Sequence, residues 1–241
     1  MKILEKLSAK NKALWEHSTI SIAFFGDSVT QGCFEIFQKD DGGIETIFEQ
    51  HENYGHALSK ILAELYPIAP VQIINAGMSG DNAPHAFKRL ERDVLRFSPD
   101  LTVVCFGLND CTVGMEFLPK YVQALEDIFR KLKEAGSEII FMTPNMMNTH
   151  VSCHIKEDWA REYAQRNAAV QNSGTLDAFL DAAKALCQKE SIPVCDCYAI
   201  WKKLSANGVD TDELLSNRIN HPSRRMHWLF ATELARTIFD N

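Results

Sequence analysis

The stretch "TISIAFFGDSVTQG", residues 19–32, decides the fold. It opens with a β-branched and aromatic run, Thr19 to Phe25. It then breaks into Gly26, Asp27, Ser28, Val29, Thr30, Gln31 and Gly32. A short apolar run of this kind suits a strand buried on both faces of a parallel sheet. Whether the break is an ordinary turn or presents Ser28 as a nucleophile depends on what the rest of the chain supplies.

Four more runs repeat the strand pattern: "VQIINA" (71–76), "LTVVCF" (101–106), "EIIFM" (138–142) and "IPVCDC" (192–197). Helical spacing fills the intervals. Residues 53–66 carry apolar residues at helical period. Phe87, Leu90, Val94 and Phe97 form one stripe after "SGDNAP", with Asp81 or Asn82 as cap and Pro84 in the first turn. Tyr121, Leu125, Ile128 and Leu132 mark a helix stopped by Gly136. Residues 156–190 read as helix with a break at 172–174, and a last helix starts near Ser223. This β-α-β-α order predicts a three-layer α/β/α sandwich around a five-stranded parallel sheet with right-handed crossovers. The 241 residues, 46% hydrophobic, are expected to form one domain over 1–241.

The formal charge of −7 is spread along the chain, so no basic patch argues for nucleic acid or an anionic membrane. No run approaches the roughly 18 apolar residues of a membrane span. The first 18 residues, "MKILEKLSAKNKALWEHS", lack the apolar core of a signal peptide. The seven cysteines show no metal or redox spacing, and Cys195 and Cys197 are expected on opposite faces of a strand. They read as reduced thiols in a cytoplasmic protein.

In a parallel sheet, function collects in the loops at the carboxyl ends of the strands. The first three exits are Gly26-Asp27-Ser28, Asn75 to Asp81, and Gly107-Leu108-Asn109-Asp110. Any one of them is turn chemistry. Side by side they offer a hydroxyl on Ser28, a close-approaching N–H at Gly80 and an amide donor on Asn109. Nucleophilic acyl transfer needs those parts and a base. Of the eight histidines, His221 stands apart, in "NRINHPSRRMHW" before Pro222 and the last helix. His150 and His154 would share a face only if that stretch were helical, and no third metal ligand accompanies them.

These blocks resemble the GDSL (SGNH) hydrolases. "FFGDSVTQG" is similar to their first block, "NAGMSGD" to the second, "GLND" to the third and "NHP" to the last. The resemblance implies a flavodoxin-like SGNH hydrolase fold and an esterase without cofactor or metal. It implies Ser28 as nucleophile and His221 as base. It implies an oxyanion site from Ser28 N–H, Gly80 N–H and the Asn109 amide. Residues 26–30 do not match the G-x-S-x-G elbow of the α/β-hydrolases. The family usually carries an aspartate three residues before the histidine, where Arg218 stands here. Asn217 or a backbone carbonyl is left to orient the ring. The expected substrate is a small-molecule ester with a short acyl group, such as acetate on a sugar. Longer acyl chains, a non-catalytic binding module and a nucleotide-binding protein remain as alternatives. The segment 33–52, with Phe34, Phe37 and Phe48, is long for a connection and is expected either to wall a pocket or to anchor itself. The oligomeric state is left open.

Overall fold

The structure is a computed structural model describing residues 1–241. Its strands are β1 (Ile20–Gly26), β2 (Cys33–Gln38), β3 (Ile44–Phe48), β4 (Val71–Gly77), β5 (Leu101–Cys105), β6 (Glu138–Met142) and β7 (Val194–Cys195). The helices of the first half are α1 (Lys2–Lys12), α2 (Ser28–Gln31), α3 (Tyr54–Leu65), α4 (Ala83–Phe87), α5 (Leu90–Asp93) and α6 (Leu108–Cys111). Those of the second half are α7 (Leu118–Glu134), α8 (Asp158–Asn172), α9 (Thr175–Glu190), α10 (Cys197–Ala206) and α11 (Arg224–Asp240).

Five strands form one parallel sheet in the order β4-β1-β5-β6-β7. This is the flavodoxin-like order, and it puts the topological switch between β1 and β5. The central strands are buried along their length because helices cover both faces: α3 packs with α11, and α4 and α9 pack with α7. No helix is long and apolar enough to cross a membrane.

Register sets the level of the loops. Gly26 pairs with Gly77 on one side and with Cys105 on the other, so the first three exits leave the sheet at the same height. Gly77 also lets α2 approach. A Cβ there would lie 2.2 Å from Gln31 N, a backbone atom that cannot yield cheaply.

Two expectations needed correction. The Phe87–Phe97 stripe is not one helix but α4, α5 and a 3₁₀ turn, Leu95–Phe97. The break falls where Arg89 (φ −106, ψ 0) swings its side chain beneath the neighbouring loops. Of the two caps offered by the sequence, Asn82 is the one present, accepting the N–H of His85 at the start of α4. Cys195 and Cys197 do not diverge: positions two apart on a strand share a face, so opposite faces were never to be expected there, and β7 in any case ends at Cys195, with Asp196 capping α10. Their sulfurs lie 3.7 Å apart as free thiols. Between β7 and the His221 loop stand α10 and a 3₁₀ turn (Thr211–Leu214), and residues 33–48 form the antiparallel hairpin β2–β3.

Candidate active site

Ser28 begins α2, capped by the Asp27 carboxylate, which accepts the N–H of Val29 at 2.9 Å. The short helix is held by its backbone bonds and by Asn53, whose amide donates to the Thr30 carbonyl. Ser28 and His221 are both buried, and Ser28 Oγ lies 3.0 Å from His221 Nε2. The two residues are 193 positions apart in sequence.

The other ring nitrogen, Nδ1, lies 3.1 Å from the backbone carbonyl of Phe34 on β2. A carbonyl can only accept, so Nδ1 carries the proton and Nε2 turns a free lone pair to the serine hydroxyl. No carboxylate hydrogen-bonds the ring. Cys33 Sγ, 3.4 Å from Nδ1, does not substitute for one, because burial pushes its thiol up to about 12. Of the two orienters considered from the sequence, the backbone carbonyl is the one present, and it comes from a strand far from the histidine. Asn217 does a different job. Its Oδ1 accepts the N–H groups of Ile219, Asn220 and His221, each at 3.0 Å, and so shapes the loop. Arg218, at φ +58, turns away to pair with Glu213.

Burial drives the His221 imidazole down to about 4, the Phe34 carbonyl and the Glu35 charge only partly opposing this. It is therefore neutral at pH 7. Burial pushes the Asp27 carboxyl up to about 7, with Asp81 adding to the rise.

The second and third exits are laced to the first. Met78 N–H donates to the Gly26 carbonyl at 3.1 Å, and Ser79 N–H donates to Gln31 Oε1 at 2.7 Å. Between Ser79 and Asp81, Gly80 is exposed at φ +76, a left-handed turn that favours glycine. Asn109 Nδ2 donates to the Asp81 carbonyl at 2.8 Å and reaches Asp27 only at 3.5 Å. One of its two amide protons is thus weakly engaged.

Beneath them lies a residue that the sequence reading missed. Arg89 is buried and donates to Asp81 (2.6 Å), to the Ala76 carbonyl (2.8 Å) and to the Gly26 carbonyl (3.0 Å), stacking 4.7 Å over Phe25. It ties the ends of β1 and β4 to the second loop. Its helical stripe masked it, since an arginine at that spacing reads as solvated surface. Losing one partner of a buried ion pair strands the other charge. Arg89→Ala is expected to lower stability by about 3 kcal/mol in urea unfolding. An unchanged midpoint would show that Asp81 does not depend on it.

Elsewhere, residues 149–157 are irregular, so His150 and His154 share no helix face. His150 instead pairs with Asp212 at 2.9 Å. His150, Asp210 and Asp212 bring ligand-type atoms within 4.8 Å of one another. The Asp212 oxygens already accept the N–H groups of Thr149 and His150, which makes this a loop anchor. In the hairpin, Phe34 is fully buried against His227, while Phe37 and Phe48 are about half exposed.

A hydroxyl–imidazole pair at the carboxyl edge of a flavodoxin-like sheet defines a class, the SGNH hydrolase fold. The chain belongs to the GDSL-like lipase/acylhydrolase family, whose model matches residues 24–229. It is similar to an acetylxylan esterase of Geobacillus stearothermophilus, 25% identical over 132 residues. That match takes in 51% of this chain and 58% of the relative, so the chain spans little more than half of the relative's length. Among solved structures, the Geobacillus stearothermophilus acetylxylan esterase Axe2 superposes with a TM-score of 0.67 at 20% identity, covering 92% of this chain and 94% of that one. A two-domain esterase active on acetylated mannans gives 0.66 at 18% identity, over 98% of this chain and 52% of that one. A lipase/acylhydrolase from Enterococcus faecalis gives 0.65 at 20%, over 91% and 95%. At these identities the superpositions establish the fold.

Proposed function

We propose that the chain is a serine esterase that cleaves carboxylic esters through an acyl-enzyme on Ser28, with short acyl groups such as acetate on a carbohydrate as substrate. The observation that carries this is the 3.0 Å contact between Ser28 Oγ and a buried, neutral His221 whose other nitrogen is held by Phe34. His221 takes the hydroxyl proton as Ser28 attacks the ester carbonyl. The N–H groups of Ser28 and Gly80 and the spare proton of Asn109 meet the developing oxyanion. Collapse expels the alcohol, protonated by His221. Water then repeats the sequence on the acyl-enzyme and releases the acid. The acetyl-sugar preference draws support from the acetylated xylans and mannans on which the similar esterases act.

Incubation with a fluorophosphonate followed by peptide mass spectrometry tests the chemistry, and labelling is expected at Ser28. Acetylated xylo- and manno-oligosaccharides, compared with p-nitrophenyl esters of rising acyl length, test the substrate class. Turnover that climbs with acyl length would replace the acetyl reading with a lipase. Asn109→Ala is expected to lower kcat roughly 100-fold or more with the fold intact, as loss of one oxyanion donor does. A kcat near wild type would remove Asn109 from the oxyanion site.

A further inference from the structure

We infer that Arg224 is a positioning residue for His221: by bridging Glu35 and Glu49 it fixes the strand whose Phe34 carbonyl holds the imidazole. The inference rests on the Ser28–His221 reading above.

With no acid on the ring, its orientation depends on one carbonyl in the separate β2–β3 hairpin. The β2–β3 pair has only two strands, and its register shifts between Cys33 and Ile36. A two-stranded hairpin is marginal without outside support. The support comes from the first turn of α11. Arg224 Nη1 and Nη2 donate to the Glu35 carboxylate at 2.6 and 3.0 Å, and Nε and Nη2 donate to Glu49 at 2.7 Å each. The guanidinium also lies 4.3 Å over the Phe34 ring. One planar fork thus grips the residue after Phe34, the residue after β3 and Phe34 itself. Only arginine presents that geometry. Arg224 is three residues from His221, across Pro222, so the segment that supplies the imidazole also grips its acceptor.

The clamp also sets the charge around the ring. The titratable and charged groups set beside His221 are Cys33, 3.4 Å from Nδ1, and Glu35, whose charge favours the imidazolium, both from β2, and His227 from α11. His227 is neutral, driven down to about 3 by burial. Arg224 pairs with both glutamates, and its removal leaves Glu35, the carboxylate that acts on the imidazole, uncompensated.

The test compares Arg224→Gln, Arg224→Lys, Glu35→Gln and Glu49→Gln, each checked for folding by circular dichroism. Arg224→Gln is expected to lower kcat roughly 10- to 100-fold, as small misplacements of a reacting group do, with KM little changed. Fluorophosphonate labelling at Ser28 should slow in parallel. Arg224→Lys should recover only part of the loss. The rising limb of the kcat/KM–pH profile should move up in Arg224→Gln and down in Glu35→Gln. A merely structural clamp predicts no such opposite pair. If Arg224→Gln does not fold, Glu35→Gln and Glu49→Gln must still lower kcat, and wild-type kcat in both overturns the clamp. Labelling of Arg224→Gln at the wild-type rate overturns it as well, as does a limb that stays fixed in both variants. Wild-type protein that never labels at Ser28 overturns the esterase reading itself, and the clamp with it.

Discussion

Ser28→Ala is expected to abolish ester turnover, by on the order of 10⁴-fold or more, with loss of fluorophosphonate labelling and retention of the fold. In the proposed mechanism the acyl bond forms on this hydroxyl, the one that lies 3.0 Å from His221 Nε2. The buried cysteine near the ring, Cys33, carries a thiol held protonated by burial. Stability should change little. The substitution removes one hydrogen bond to His221 Nε2, worth about 1 kcal/mol, and keeps the α2 backbone that Asp27 caps. A folded Ser28→Ala protein with wild-type turnover would rule out the acyl-enzyme.

His221→Ala is expected to cost as much, and the double variant no more than either single one, because the proposed nucleophile and base would act as a unit. The two losses adding would separate His221 from Ser28. The pH profile offers a second readout. A free imidazole titrates near 6.5, but burial places His221 at about 4. The rising limb of kcat/KM is therefore expected well below pH 6, and a limb near 6.5 assigned to His221 would contradict its buried, carbonyl-held state. Stability is a poorer gauge. As pH falls from 6.5 towards 4, the unfolded chain protonates His221 first, so this group destabilises the fold, and His227 acts alike. Asp27 and Asp110, pushed up to about 7 by burial, hold protons in the folded state and act the other way.

Much of the fold is legible in the residues. The runs at 71–76, 101–106 and 138–142 become β4, β5 and β6 within a residue or so, because strands buried on both faces admit only continuous apolar sequence. The break at 172–174 falls where Gly174, at φ +76, separates α8 from α9. The hairpin β2–β3 was not legible, since "CFEIFQKDDGGIETIF" forms a separate two-stranded pair buried fully only at Cys33 and Phe34 and carries no clean alternation. Arg89 and Arg224 were hidden for another reason. Each looks like surface charge until the fold brings carboxylates and carbonyls to it.

The sequence by itself determined the parallel α/β layout and the four polar blocks at Ser28, Gly80, Asn109 and His221. Both are written in local chemistry, in apolar runs and in the glycine, asparagine and serine of tight turns. Only the tertiary structure decided what holds His221. Its partner is a backbone carbonyl, a group every residue carries, so no residue type announces it. Phe34 acquires the role because the β2–β3 hairpin folds back against the loop before α11, bringing together residues 187 positions apart.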